Sequence, residues 1–249
     1  MKVGLLECDD VVGRFPGIDG GYREMFAALL PEFEFSFFPI HRNAFPENTA
    51  ECDAWIGTGS KHAVYEGLAW VARASEFLRA LHRENRPFVG ICFGHQLLAH
   101  ALGGEVAKAR QGWGVGVLPV EMLNQEPWMQ PPQAEIRIQH MHQDQVQRLP
   151  EGSVLLGRSP HCDVGMFRVG ESMLGIEGHP EFTKTFGSAL IKSRRERIGN
   201  APADEALKSL EKPNDGPLVG RWIGEFLTRA ASGRPPATSS PTARRGTRP

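Results

Sequence analysis

Three features of this sequence predict an α/β fold with a mostly parallel sheet flanked by helices. Buried-strand patterns alternate with helical ones through roughly the first hundred residues, and such alternation needs crossover connections between parallel strands. One apolar run, PFVGI, passes through Cys92 straight into a helical pattern (Leu97, Leu98, Ala101, Leu102). Beyond Val115 the patterns change to short strands broken by turns, which adds a smaller β section in the second half. At 249 residues the chain can bury one substantial core.

Each element has its own signal. Lys2 to Glu7 is a short apolar run that opens into a Gly-rich loop, VVGRFPGIDGG. Tyr22 to Leu30 has helical spacing and stops at Pro31. Phe33, Phe35 and Phe37 alternate with polar residues, a second strand ending at Pro39, and Ala54 to Gly57 is a third that leads into GTGS. From Glu66 to Arg83 the apolar positions Leu68, Val71, Phe77, Leu78 and Leu81 recur as on an amphipathic helix. The strand before Cys92 follows.

In the second half, Val115 to Leu123, Glu135 to Met141, Ser153 to Leu156, Met166 to Val169 and Leu174 to Glu177 read as strands. Residues 182–198 read as a helix with a cationic last turn (Arg194, Arg195, Arg197). Two more helices are expected near 203–211 and 217–230, divided by the breaker KPNDGP. Residues 1–231 thus form one domain, and the Pro, Ser, Thr and Arg composition of 232–249 predicts a disordered tail.

The formal net charge is −1, and four Arg fall in the last seventeen residues, leaving 24 basic against 29 acidic residues elsewhere. That balance offers no broad basic face for nucleic acid. MKVGLLECDD has too short an apolar run for a signal peptide, and no stretch approaches a membrane span. Cys8, Cys52, Cys92 and Cys162 show neither metal-ligand spacing nor a disulfide framework. A cytoplasmic, reducing location is therefore expected.

Chemistry concentrates at two places. Glycines two residues either side of Cys92 make G-x-C-x-G, the thiol version of the nucleophile elbow, a turn so tight that only glycine leaves room at those positions. The sulfur is then set at a helix N-terminus, which favours thiolate. The alternative is a small buried cysteine where a strand meets a helix. A nucleophile also needs a base. In LGIEGHPEF, His179 and Glu181 project to one face if the segment is extended, so the carboxylate can hold one ring nitrogen and leave the other for sulfur. The alternative is a strand-end His beside a solvated Glu. An α/β-hydrolase places its acid before its His, whereas here the acid follows by two.

GICFGHQ, followed 87 residues after the Cys by GHPEF, closely resembles the class I glutamine amidotransferase domain. The likeness spans roughly residues 1–198 and takes in GTGS, GWGVG and HQDQV. It implies a flavodoxin-like sheet and attack on a γ-glutamyl amide. By position, Cys92 would be the nucleophile, His179 the general base and acid, and Glu181 the orienter. The backbone N–H groups of Gly59 and Phe93 would form the oxyanion hole. Gln96 would contact the glutamyl group, and Met141, His142, Gln143 and Asp144 match a loop that holds its α-groups. The chain departs from the family where GTGS replaces Gly-Gly-Pro, and where Met141 and Gln143 stand for Ser and Gly.

No cofactor and no metal is expected, since His140 and His142 alternate on a strand without a third clear ligand. Trp113 is either a pocket wall or a core residue. The loops 10–21 and 110–116 are expected to read the leaving amine. The expected activity is hydrolysis of the γ-glutamyl amide bond of glutamine through a Cys92 thioester, releasing glutamate and ammonia for an acceptor or a separate synthetase subunit; the alternatives are a free-standing γ-glutamyl peptide or amide hydrolase and a non-catalytic ligand-binding protein on the same scaffold. In each, the partner is a small molecule, glutamine or a γ-glutamyl compound.

Overall fold

In the computed structural model, which describes residues 1–11, 13, 15 and 20–233, the first half of the chain forms β1 (Lys2–Leu6), α1 (Tyr22–Leu29), β2 (Glu34–Phe38), β3 (Ala54–Gly57), α2 (Ala69–Arg83), β4 (Phe88–Ile91) and α3 (Phe93–Ala101). The strands that follow are β5 (Glu105–Lys108), β6 (Gly114–Met122), β7 (Glu135–His142), β8 (Asp144–Arg148), β9 (Ser153–Arg158), β10 (Met166–Val169) and β11 (Met173–Ile176). Four helices close the chain: α4 (Lys184–Ser193), α5 (Arg195–Ile198), α6 (Asn200–Ser209) and α7 (Gly216–Ser232). Residues 234–249 of the predicted tail lie outside the described residues, and Ser232 closes α7.

Nine strands form one sheet in the order β2-β1-β3-β4-β11-β10-β9-β6-β7. The first five run parallel, with the spatial order of a flavodoxin-like sheet. The last four continue the same sheet antiparallel. The parallel strands alternate between two cores, as their period of two requires. Val3, Leu5, Ala54, Ile56, Val89, Ile91, Leu174 and Ile176 face one core with α1, α4 and α7. Trp55, Phe88 and Met173 face the other with α2 and α3. Burial on both faces makes these strands near-continuous apolar runs, which is why their positions were readable.

Two features were not anticipated. β5 and β8 form a separate antiparallel pair against α3, joined through the buried couple Val106 and Val146. So few buried positions leave no periodicity to read. The helix expected over 182–198 is interrupted at Arg194, where α4 ends and α5 begins. Among the described residues no helix is long and apolar enough to cross a membrane.

Candidate active site

Adjacent parallel strands end at one edge, and the residues that follow them make the site. Gly57 of β3 is in register with Gly90 of β4, and Ile91 of β4 with Ile176 of β11. The chain therefore delivers Thr58-Gly59, Cys92 and Glu177-Gly178-His179 to the same carboxyl edge, where open α/β sheets place their ligands.

Cys92 has φ 51° and ψ −102°, a conformation costing about 1–3 kcal/mol in a residue with a side chain. Its N–H donates to the Ile176 carbonyl at 2.8 Å, and the Gly94 N–H donates to the Thr58 carbonyl at 3.1 Å. The flanking glycines are required sterically. A Cβ on Gly90 would lie 2.3 Å from the Gly94 carbonyl, and one on Gly94 would lie 2.4 Å from the Gly57 oxygen. The predicted turn is present.

The expected thiolate is not. Cys92 is 5% exposed. Burial pushes its thiol well above the ordinary value, and the Glu177 and Glu181 carboxyls push it further. The Arg194 charge and a backbone hydrogen bond with Phe93 pull the other way without prevailing. Desolvation therefore outweighs the helix terminus, and the resting sulfur is a thiol.

His179 is fixed from three sides. Its Nδ1 lies 2.8 Å from Glu181 Oε1. Its ring stacks on Phe182 with centroids 3.8 Å apart and planes 10° from parallel. Its backbone N–H donates to the Gln139 carbonyl at 2.7 Å. A carboxylate at Nδ1 keeps the proton on that nitrogen and leaves Nε2 as the basic one. Gly59 backs directly onto this ring: a Cβ there would sit 2.9 Å from His179 Cε1 and 2.9 Å from the Tyr22 hydroxyl. Phe93, the other expected oxyanion donor, is the first residue of α3, immediately after Cys92.

Glu177 is a site residue that the sequence reading missed. It is 0% exposed, accepts a hydrogen bond from Gln96 Nε2 at 2.8 Å, and lies 3.4 Å from His95 Nε2. Burial raises its carboxyl pKa well above the usual range. The signal was available as a carboxylate two residues before His179 at the end of an apolar strand. Tyr22, which neighbours Gly59, and Phe182, which backs His179, left no comparable signal.

Gln96 Nε2 also donates to the Asp144 carbonyl at 2.9 Å, so this amide ties α3 to β8. A cavity of about 210 Å³ opens beside Cys92, and Gln96, Met141, His142 and Trp113 line it. Of the loops expected to read the leaving amine, 110–116 contributes Trp113, while residues 12, 14 and 16–19 of the other lie outside the described residues.

This chain matches the family described as glutamine amidotransferase class-I over residues 38–194. It belongs to that family. Gamma-glutamyl peptidase 4 of Arabidopsis thaliana is 31% identical over 174 residues, 66% of this chain and 69% of its own length. One subunit of a glutamine-hydrolysing GMP synthase from Sulfolobus acidocaldarius is 31% identical over 140 residues, 56% of this chain and 72% of its own. The crystal structure of a Thermotoga maritima glutamine amidotransferase superposes with a TM-score of 0.73 at 18% identity, covering 92% of this chain and 97% of the other, a likeness of fold.

Behind the cavity wall that β7 contributes through Met141 and His142 lies a cluster of imidazoles. His140 Nδ1 is 3.2 Å from His142 Nε2, and His161 meets His142 edge-on at 5.8 Å. Burial lowers the His140 pKa to about 3 and His142 well below its ordinary value.

Proposed function

We propose that this protein hydrolyses the γ-glutamyl amide bond of a small molecule through a thioester on Cys92. His179 Nε2 takes the thiol proton as sulfur attacks the γ-carbonyl carbon. The C–N bond then breaks, and the same imidazole gives that proton to the departing amine. A water deprotonated by His179 attacks the thioester, releasing glutamate and the free thiol. Glu181 stabilises the imidazolium in both halves. The backbone N–H groups of Gly59 and Phe93 face the developing oxyanion.

The observation that carries this reading is the strand register that delivers a strained Cys92 elbow, the Gly59 loop and a Glu181-anchored His179 to one sheet edge. Because burial holds the resting thiol neutral, it ionises only as His179 takes its proton. All four cysteines are free, which suits a reducing cytoplasm.

The likeness to a gamma-glutamyl peptidase favours a free-standing hydrolase of γ-glutamyl peptides or amides. The likeness to part of a GMP synthase supports a second reading, a glutaminase passing ammonia to a separate synthetase subunit. A turnover screen of glutamine, γ-glutamyl amides and γ-glutamyl dipeptides, with Cys92→Ala as control, separates them. Glutamate release from dipeptides by the chain alone supports the first. Silence until a synthetase is added supports the second. Ligand binding with neither turnover nor thioester contradicts both and leaves a binding protein.

A further inference from the structure

Gln139 in β7 is buried, and the chemistry above gives it no role. It holds the segment His179-Pro180-Glu181-Phe182 at both ends. Its backbone carbonyl accepts from the His179 N–H at 2.7 Å. Its side-chain Nε2 donates to the Phe182 carbonyl, also at 2.7 Å. Between those two bonds lie the base and its orienter, with His179 Nδ1 2.8 Å from Glu181 Oε1. The Phe182 ring, stacked on the imidazole with centroids 3.8 Å apart, carries the side-chain bond back to His179. The carboxamide has little freedom. A Cβ on Gly187 of α4 would lie 2.0 Å from Gln139 Oε1, and one on Gly178 would lie 2.3 Å from Ile138 Cδ1. Strand, segment and helix meet here with no room for side chains at those glycines.

Burying a carboxamide costs free energy unless hydrogen bonds replace its water. An apolar side chain of the same length would serve packing alone at least as well. What the carboxamide adds is a directed bond to one end of the segment. We propose that Gln139 is a positioning residue for the catalytic pair: by gripping both ends of this turn it holds His179 and Glu181 in alignment with each other. The assignment rests on the thioester reading and adds to it what aligns the base. Gln139 reaches the base rather than the cavity, so its loss falls on kcat, where the loss of a wall residue falls on KM.

The test uses the full chain, a γ-glutamyl dipeptide as substrate and glutamate release as readout. Misaligned reacting groups lose rate steeply, so Gln139→Met should lower kcat about ten- to hundredfold and leave KM within about twofold. Gln139→Asn, a methylene too short for the Phe182 carbonyl, should repeat that loss and serves if Gln139→Met does not fold. Gln139→Glu, whose protonated carboxyl can donate in the same direction, should keep more of the rate than either. Phe182→Leu checks the path. Both changes release the same ring, so Gln139→Met combined with Phe182→Leu should be little slower than the slower single variant. A lowered Tm with unchanged kcat in Gln139→Met or Gln139→Asn would overturn the assignment and leave the thioester reading intact. So would fully multiplicative losses in the double variant. No glutamate release by the wild type would overturn the thioester reading itself.

Discussion

The two halves of the sheet divide the work. The parallel half ends in the groups proposed to react, Cys92, Gly59 and His179, all set by strand register at one edge. The antiparallel half contributes Met141 and His142, and the loop before it Trp113, which wall the cavity. Parallel strands all present carboxyl ends on one side, so reacting groups from distant sequence positions converge. Antiparallel strands alternate their ends and suit a wall. Damage to the first half should therefore appear in kcat, and damage to the wall in KM.

The largest effect should come from Cys92→Ala, which removes the nucleophile and should cut glutamate release by more than about 10⁴-fold. Residual turnover within tenfold of wild type would break the comparison at its base. Glu181→Gln should cost kcat about 10³-fold, because an amide no longer holds the proton on Nδ1 or supports the imidazolium. Gly59→Ala drives a methyl to within 2.9 Å of His179 Cε1 and should cost about 10²-fold in kcat. Circular dichroism should show the fold retained in both. On the other side, Trp113→Ala should raise KM about tenfold with kcat within a few-fold of wild type. A kcat loss matching that of Gly59→Ala would show that the wall belongs to the reacting machinery.

The smallest effects are in stability, and there the two halves should have opposite signs. Glu177 has a raised pKa in the folded state, so the native protein holds a proton that the unfolded chain loses above about 4.5. Stability from this group is complete below that value and declines as pH rises. His140 and His142 have lowered values, so the unfolded chain binds protons that the native wall refuses. Their effect is absent above about 6.5, and stability then falls with pH toward about 3. Thermal unfolding of Glu177→Gln should therefore show a Tm advantage over wild type that grows with pH. A constant or shrinking advantage would contradict a raised Glu177 pKa.

Much of this division was legible in the sequence. Strands buried on both faces and long one-sided helices announce themselves by period, and the Cys92 elbow by its glycines, whose nearest contacts leave no room for a methyl. The short β5–β8 pair was hidden because Val106 and Val146 stabilise it by packing across the fold onto α3. The protonation of Cys92 was misjudged for a related reason. The helix terminus is visible in sequence, but the desolvation and the Glu177 and Glu181 carboxyls that outweigh it come from tertiary packing. Arg194 and Arg197 showed only as cations, and their convergence on Trp113 from residues more than eighty positions away needed coordinates.

The central claim is a covalent γ-glutamyl group on Cys92, and intact-protein mass spectrometry of an acid-quenched reaction tests it most directly. With a γ-glutamyl dipeptide in excess, the protein should gain the mass of one γ-glutamyl group, mapping to the peptide that contains Cys92 and absent from Cys92→Ala. Steady glutamate release with no such adduct, and undiminished in Cys92→Ala, would contradict the account.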